Sequence, residues 1–341
     1  MNTAVDSRWI GMHGIGRYAS EILQNIPYNH EIDYGGKSMD AIDPLKLKYF
    51  LQSKSCKLFY SPGPNGPVGF SGKTAITVHD LMFLEVPGEV SHLKKLYFNN
   101  ITKNICKKAD VVFTVSAYSK ERIEQWLGRR DIVVAHNGVS KEFFPNMKKN
   151  TDKKSAPFFL YVGNRRKHKN FNGLLKAFSI FSNDSGCLNE NYELHITGCN
   201  NRQLNDILKN LNIENNVKFL GDSLSKECLA DSYRNAFALL IPSFYEGFGM
   251  PALEAMACGT PVIASNSTAL CEIVNDAGLL IDPYDVYSIS DAMNTIVSDD
   301  ELHKILIKKG IKRASKYSWH TSSLIIRDAL SEIGWPTKKY I

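Results

Sequence analysis

The sequence predicts an α/β protein made of two doubly wound domains, each a parallel sheet flanked by helices. Three observations carry this. Short apolar runs alternate with helical patterns along the chain. Many of those runs end at Gly, Asn, Ser or Asp and are followed at once by a helical pattern, as strand–turn–helix units of a parallel sheet require. One stretch, residues 146–157 (NMKKNTDKKSAP), is polar, lysine-rich and without apolar periodicity, and is the best interdomain linker in the chain. The 341 residues are enough for two domains of ordinary size. The expected division is 1–148, 149–315 and a helical C-terminal segment, 316–341, with a ligand cleft between the two domains.

In the first half the candidate strands are Lys57–Tyr60, Thr74–Val78, Val111–Val115 and Ile132–Ala135. In the second half they are Phe158–Val162, Tyr192–Thr197, Val217–Leu220, Phe237–Ile241 and Pro261–Ala264. Ser116 and Ser119 stand where a helix after Val115 needs a cap, because a serine oxygen accepts from the orphan N–H groups of the first turn. Glu301 to Ile333 reads as helical. His92 to Lys108 (HLKKLYFNNITKNICKK) sets five lysines among Leu93, Leu96, Tyr97, Phe98, Ile101 and Ile105 at near-helical spacing. That is the pattern of an interfacial amphipathic helix, and equally of an ordinary core-facing one.

Hydrophobic content of 43% and charged content of 22% are those of a soluble globular chain. No apolar run approaches the roughly 18 residues that cross a bilayer, and the start, MNTAVDSRWIGMHG, lacks the basic and apolar regions of a signal peptide. A cytoplasmic location is expected, at the inner face of the membrane if 92–108 contacts lipid. Seven cysteines, an odd number with no C-x-x-C pair, argue against a disulfide framework or structural zinc. Cys258, among small residues, is expected to be packed in a core. The net charge of +6 sits entirely in residues 1–150, which hold 20 Lys and Arg against 14 Asp and Glu; residues 151–341 hold 21 of each. Such a first half would be drawn to anionic lipid or to a pyrophosphate-linked acceptor, though a solvated surface has the same composition. No nucleic-acid partner is expected.

The most informative string is Ser243 to Val262, SFYEGFGMPALEAMACGTPV. An apolar run precedes it. Then come Glu246, a glycine-rich turn, and a helix that carries Glu254. This order puts free backbone N–H groups and the positive end of a helix dipole beside two carboxylates, a combination suited to a phosphorylated sugar. The string resembles the nucleotide-sugar-binding motif of glycosyltransferase family 4, retaining enzymes of the GT-B fold, almost letter for letter. The resemblance covers essentially the whole chain and is strongest from Tyr161 to Pro283. It implies two Rossmann-like domains with an interdomain cleft, and a last helix that crosses back onto the first domain with Trp319 buried in the contact.

Further motifs take their roles from this resemblance. GMHGIGRY, residues 11–18, spaces its glycines as G-x-x-G-x-G, which does not fit the dinucleotide-binding pattern. Read as the family's G-I-G-R-Y loop, it brings backbone at Gly14 and Gly16 close to the donor phosphates; a structural turn is the other reading. In AITVHDL, His79 is implied to reach the transferred sugar, with Asp80 holding the local loop or the ring. HNGV at 136–139 reads as a structural turn. In YVGNRRKHKNFNGLLKAF, residues 161–178, Lys169 matches the family lysine that neutralises the diphosphate. The family arginine falls at Asn164, so the guanidinium would come from Arg165 or Arg166. Gly198, in YELHITG, would admit the nucleotide base, with further lining from Gly221 to Leu224.

The resemblance therefore implies a metal-independent, retaining hexosyltransferase. Glu246 grips the donor sugar, Glu254 accepts from the ribose hydroxyls, and the amides of Phe248, Gly249 and Met250 meet phosphate or sugar oxygens. Lys169, Arg165 and His79 complete the catalytic set. No D-x-D triplet is present to hold a divalent ion as in GT-A enzymes, and no cofactor is expected, since the nucleotide-diphosphate sugar is itself a substrate. Mannose from GDP-mannose, or transfer from a related GDP-deoxyhexose, is expected by similarity to mannosyltransferases of bacterial lipopolysaccharide and O-antigen assembly, with UDP-glucose or UDP-N-acetylhexosamine open. The acceptor is a glycan or lipid-linked glycan. The alternatives are a GT-B sugar-nucleotide epimerase and a non-catalytic nucleotide-sugar binder.

Overall fold

The computed structural model describes residues 1–11, 14–35, 38–145, 156–183, 192–222 and 224–337. The chain divides into two compact units. One contains residues 1–138 together with 317–341, the other residues 139–316. The division falls at Gly138, ahead of the boundary expected at 148. Of the expected linker, residues 146–155 lie outside the described residues, as does the boundary itself.

The first unit has a six-stranded sheet of β1 (Thr3–Val5), β2 (His30–Glu31), β3 (Leu58–Ser61), β4 (Lys73–Thr77), β5 (Val111–Thr114) and β6 (Ile132–Val134). Its order is β2-β1-β3-β4-β5-β6, and every pairing is parallel. The order reverses between β1 and β3, so the loops leaving those strands flank a topological switch point. β3 and β5 are buried along their whole length, as strands covered on both faces must be. The Trp319–Glu332 helix belongs to this unit, and Trp319 packs edge-on to Tyr18 at 6.1 Å. Gly138 is required here, because a Cβ on it would lie 2.1 Å from the Trp319 backbone nitrogen.

The second unit is built on β7 (Phe158–Tyr161), β8 (Glu193–Ile196), β9 (Val217–Phe219), β10 (Ala238–Ile241), β11 (Val262–Ser265) and β12 (Leu279–Ile281). Their order, β12-β11-β10-β7-β8-β9, is again wholly parallel and reverses between β7 and β10. The core is aromatic: Phe159 meets Phe181 edge-to-face at 5.3 Å, beside the buried Phe178 and Leu174. Each such side chain contributes about 1.5–3 kcal/mol by leaving water. Cys258 is buried as expected, and burial pushes its thiol up to about 12.

Candidate active site

The switch point of the second unit places two loops side by side, one leaving β7 and one leaving β10. The β7 loop begins at Gly163, whose N–H donates to Thr197 Oγ1 at 3.1 Å. Asn164 turns its side-chain oxygen back to accept from the Arg166 N–H at 3.1 Å. The chain then makes a single 3-10 turn, Lys167–Lys169, and leaves it through Asn170 in the left-handed region (φ 52°). Asn170 is locked there by a 2.6 Å bond from its side-chain nitrogen to the Pro283 carbonyl. This fixes where Lys169 points before the Phe171–Asn183 helix begins.

The β10 loop delivers Glu246 to the same place. Its Oε1 accepts from Lys169 Nζ at 2.7 Å and from Ser243 Oγ at 2.8 Å. Both members of the ion pair are largely buried. Glu246 is held from behind as well, its N–H donating to Thr268 Oγ1 at 3.1 Å. Thr268 itself sits at φ 56°, a conformation that costs a β-branched residue free energy and that tends to occur at functional sites. Tyr161, at the end of β7, is buried. Burial raises its hydroxyl pKa, the charge of Glu246 raises it further, and Arg165 opposes both.

Beyond Glu246 the chain passes Phe248, which is buried, and reaches Gly249 at φ 102°, the residue before the Met250–Ala257 helix. Only glycine takes this conformation without strain, and an added Cβ would meet Leu270 Cδ2 at 2.7 Å. Pro251 in the first turn suits a position that needs no N–H partner. Gly249→Ala is expected to cost about 1–3 kcal/mol, which thermal melting would report as a midpoint lowered by several degrees.

Glu254, on that helix, is only 4% exposed and accepts from the Tyr233 hydroxyl at 3.0 Å. Arg165 is tied to the far side of the switch point. It donates to the Cys199 carbonyl at 2.7 Å, and its guanidinium lies over the Phe171 and Phe219 rings at 5.3 and 5.5 Å. Gly198 (φ 99°) is next to it, donating its N–H to the Gly221 carbonyl at 2.8 Å. Of the two candidate arginines, Arg165 is therefore the one fixed beside the Gly198–Gly221 turn, while Arg166 is exposed. Of the expected Gly221–Leu224 lining, Ser223 lies outside the described residues.

In the first unit, Gly14 and Gly16 open the Gly14–Leu23 helix. A Cβ on Gly16 would fall 2.4 Å from the Gly11 nitrogen, so the loop's own backbone fills that space. His79 ends β4's extension, buried, with Nε2 on the Pro62 carbonyl at 2.8 Å, which puts the ring proton on Nε2 in the neutral form. Its ring meets Tyr18 edge-on at 4.7 Å. Asp80 holds the local loop, accepting from the Met82 N–H at 2.9 Å. Ser116 caps its helix through the Ser119 N–H, as expected. Thr268 and Tyr233, which with Ser243 position the two glutamates, carry no signal in the sequence that distinguishes them from other Thr and Tyr residues.

The chain has known relatives. Residues 142–313 match the family described as glycosyl transferases group 1, and residues 50–143 match glycosyltransferase family 4. The chain belongs to the group 1 glycosyl transferases. It is similar to O-antigen chain mannosyltransferase B of Escherichia coli, 27% identical across 90% of this chain and 92% of that one. Among solved structures it resembles sucrose-phosphate synthase of Thermosynechococcus elongatus (TM-score 0.77, 20% identity, 98% of this chain and 99% of that one). It also resembles Anabaena HepE in complex with UDP-glucose (TM-score 0.77, 16% identity, 97% and 100%). The fold of this glycosyltransferase is thus GT-B, with two six-stranded parallel sheets.

Proposed function

We propose that this glycosyltransferase is a retaining, metal-independent hexosyltransferase that moves mannose from GDP-mannose to a glycan or lipid-linked acceptor of O-antigen or lipopolysaccharide synthesis. The observation that carries the reading is the Lys169–Glu246 pair at the switch point, with Glu246 in the loop that leads into the Met250–Ala257 helix. Similarity to a mannosyltransferase supports the sugar, and a structural neighbour solved with UDP-glucose supports a nucleotide sugar as donor.

In the reaction, the bond from the anomeric carbon to the β-phosphate oxygen breaks and negative charge collects on the leaving diphosphate. Lys169 and the amides that open the 250–257 helix answer that charge where it develops. Glu246 then holds the sugar as positive charge builds on its anomeric carbon. The acceptor hydroxyl oxygen bonds to that carbon on the face the diphosphate leaves, and its proton passes to a leaving phosphate oxygen, so no further base is needed. Glu254, oriented by Tyr233, takes the ribose hydroxyls, Arg165 joins Lys169 on the diphosphate, and Gly198 takes the base side. Gly14, Gly16 and His79 are assigned to the donor phosphates and sugar on the resemblance alone.

The acceptor's lipid carrier would be met at the membrane surface by the basic 92–108 segment, and no described helix is long and apolar enough to cross a membrane. Nucleotide release from a panel of GDP- and UDP-sugars, with a lipid-linked glycan extract as acceptor, tests the whole reading. GDP release with mannosylated product is expected. UDP release instead would replace the donor, interconversion of donor sugars would indicate an epimerase, and neither would indicate a binder.

A further inference from the structure

Exposed apolar side chains are not spread evenly over the first unit. Of its ten exposed large apolar residues among those described, seven lie on or beside two helical segments. One is the basic segment discussed above, which folds as a helix (His92–Tyr97), a π-helical turn (Phe98–Thr102) and a second helix (Lys103–Lys108). Leu93 is 78% exposed and Leu96 45%, while Phe98, Thr102, Ile105 and Cys106 face the core.

The other segment is the Asp43–Ser53 helix, which no motif singled out. Its inner side is apolar in the usual way, with Leu47 and Leu51 fully buried. Its opposite side is apolar too. Ile42, Leu45 and Tyr49, spaced three and four apart and so on one face, are 57%, 50% and 68% exposed. A helix that faces only water carries polar residues there. Val68, also exposed, joins this stripe, its N–H donating to the Pro44 carbonyl at 3.2 Å.

One buried asparagine ties the two segments together. Asn65 donates to Asp43, the first residue of one helix, at 2.8 Å, and accepts from the hydroxyl of Tyr97, the last residue of the other, at 3.4 Å. The Tyr97 hydroxyl is pushed up to about 12, first by burial and then by the nearby Asp43 and Asp40 charges, which agrees with this closeness. Lysine dominates along both segments, and the exposed Asp40 ahead of Ile42 is an acid nearby. Residues 44–57 contain four lysines and no acid, residues 92–108 five lysines and no acid. Asp43, at the junction, is buried against Arg8. Exposed Leu, Ile and Tyr interleaved with lysine is the chemistry that seats a protein on an anionic bilayer: apolar tips enter the interface and ammonium groups meet headgroup phosphates.

We infer that the Asp43–Ser53 helix and the 92–108 segment form one two-helix face that docks the first unit on an anionic membrane. This rests on the membrane role already proposed for 92–108 and adds the second helix to it. Co-sedimentation of the full chain with vesicles of phosphatidylcholine containing phosphatidylglycerol tests it, against vesicles of phosphatidylcholine alone. Two triple variants separate the helices: Ile42→Ser/Leu45→Ser/Tyr49→Ser, and Leu93→Ser/Leu96→Ser/Ile101→Ser. All six residues are exposed, so folding should survive, and melting curves check that.

Wild type is expected to sediment with the anionic vesicles and not the neutral ones. Each triple variant should lower the partition coefficient by roughly tenfold or more, since binding scales with the apolar area inserted. If only the 93/96/101 variant loses binding, the second helix is refuted while the single-segment reading stands. If wild type does not bind at all, both fall. If light scattering shows a dimer that the Ile42/Leu45/Tyr49 variant dissociates, the stripe belongs to a second copy and the docking face is overturned.

Discussion

Lys169→Ala is expected to lower kcat/KM for the sugar donor by about 10²- to 10³-fold, the range seen when one preorganised donor to a developing oxyanion is removed. The argument starts from position. Lys169 leaves a single 3-10 turn whose exit is pinned by Asn170 to the Pro283 carbonyl, so its ammonium cannot drift far from the β10 loop. The loss should fall mainly on kcat, because charge on the leaving diphosphate is greatest in the transition state. A second effect must be separated from the first. Without Lys169, Glu246 Oε1 keeps the Ser243 hydroxyl as a donor but is a largely buried carboxylate without its cation, which should cost about 1–3 kcal/mol of stability. Kinetics well below the melting transition, with melting curves alongside, tell the two apart. Full turnover in a folded Lys169→Ala variant would sink the phosphate-clamp role.

The fold was legible because parallel sheets write themselves as apolar runs. All nine candidate strands are strands, within a residue or so at their ends. The three that the pattern does not reveal are the shortest or the most marginal. β1 has three residues and β2 two, one of them an exposed glutamate. β12 has three, with Leu280 exposed. Periodicity is not readable over so few positions, and the equally short β6 and β9 are found by their apolar runs instead. The π-helical turn at Phe98–Thr102 is likewise invisible, since it alters hydrogen bonding and not composition. At the site, the motif strings identify Lys169 and Glu246 separately. That they meet is a property of the switch point, which brings residues 77 apart within 2.7 Å. Which arginine turns inward could not be read either, because the rings that cradle Arg165 come from a helix start and a different strand, Phe171 and Phe219.

Glu246→Gln should behave differently from its partner, and the difference is the sharper test. In the structure Glu246 neutralises Lys169, so an incoming diphosphate must compete with it for the ammonium. Binding the donor would transfer Lys169 to phosphate and release Glu246 Oε1 to the sugar. Glutamine keeps the shape and still accepts from Ser243, but it no longer competes by charge. Donor KM is therefore expected to stay level or fall while kcat drops by about 10²-fold, since the carboxylate's share of the work is to face positive charge at the anomeric carbon. Lys169→Ala weakens both steps; Glu246→Gln should weaken only the chemical one. The two losses should also fail to add, with a coupling of about 1–3 kcal/mol in the double variant, because each single change leaves the other partner unpaired. Additive losses would show that the two side chains act independently, and a KM that rises in Glu246→Gln would show a structural clasp and not a switch between empty and donor-bound states.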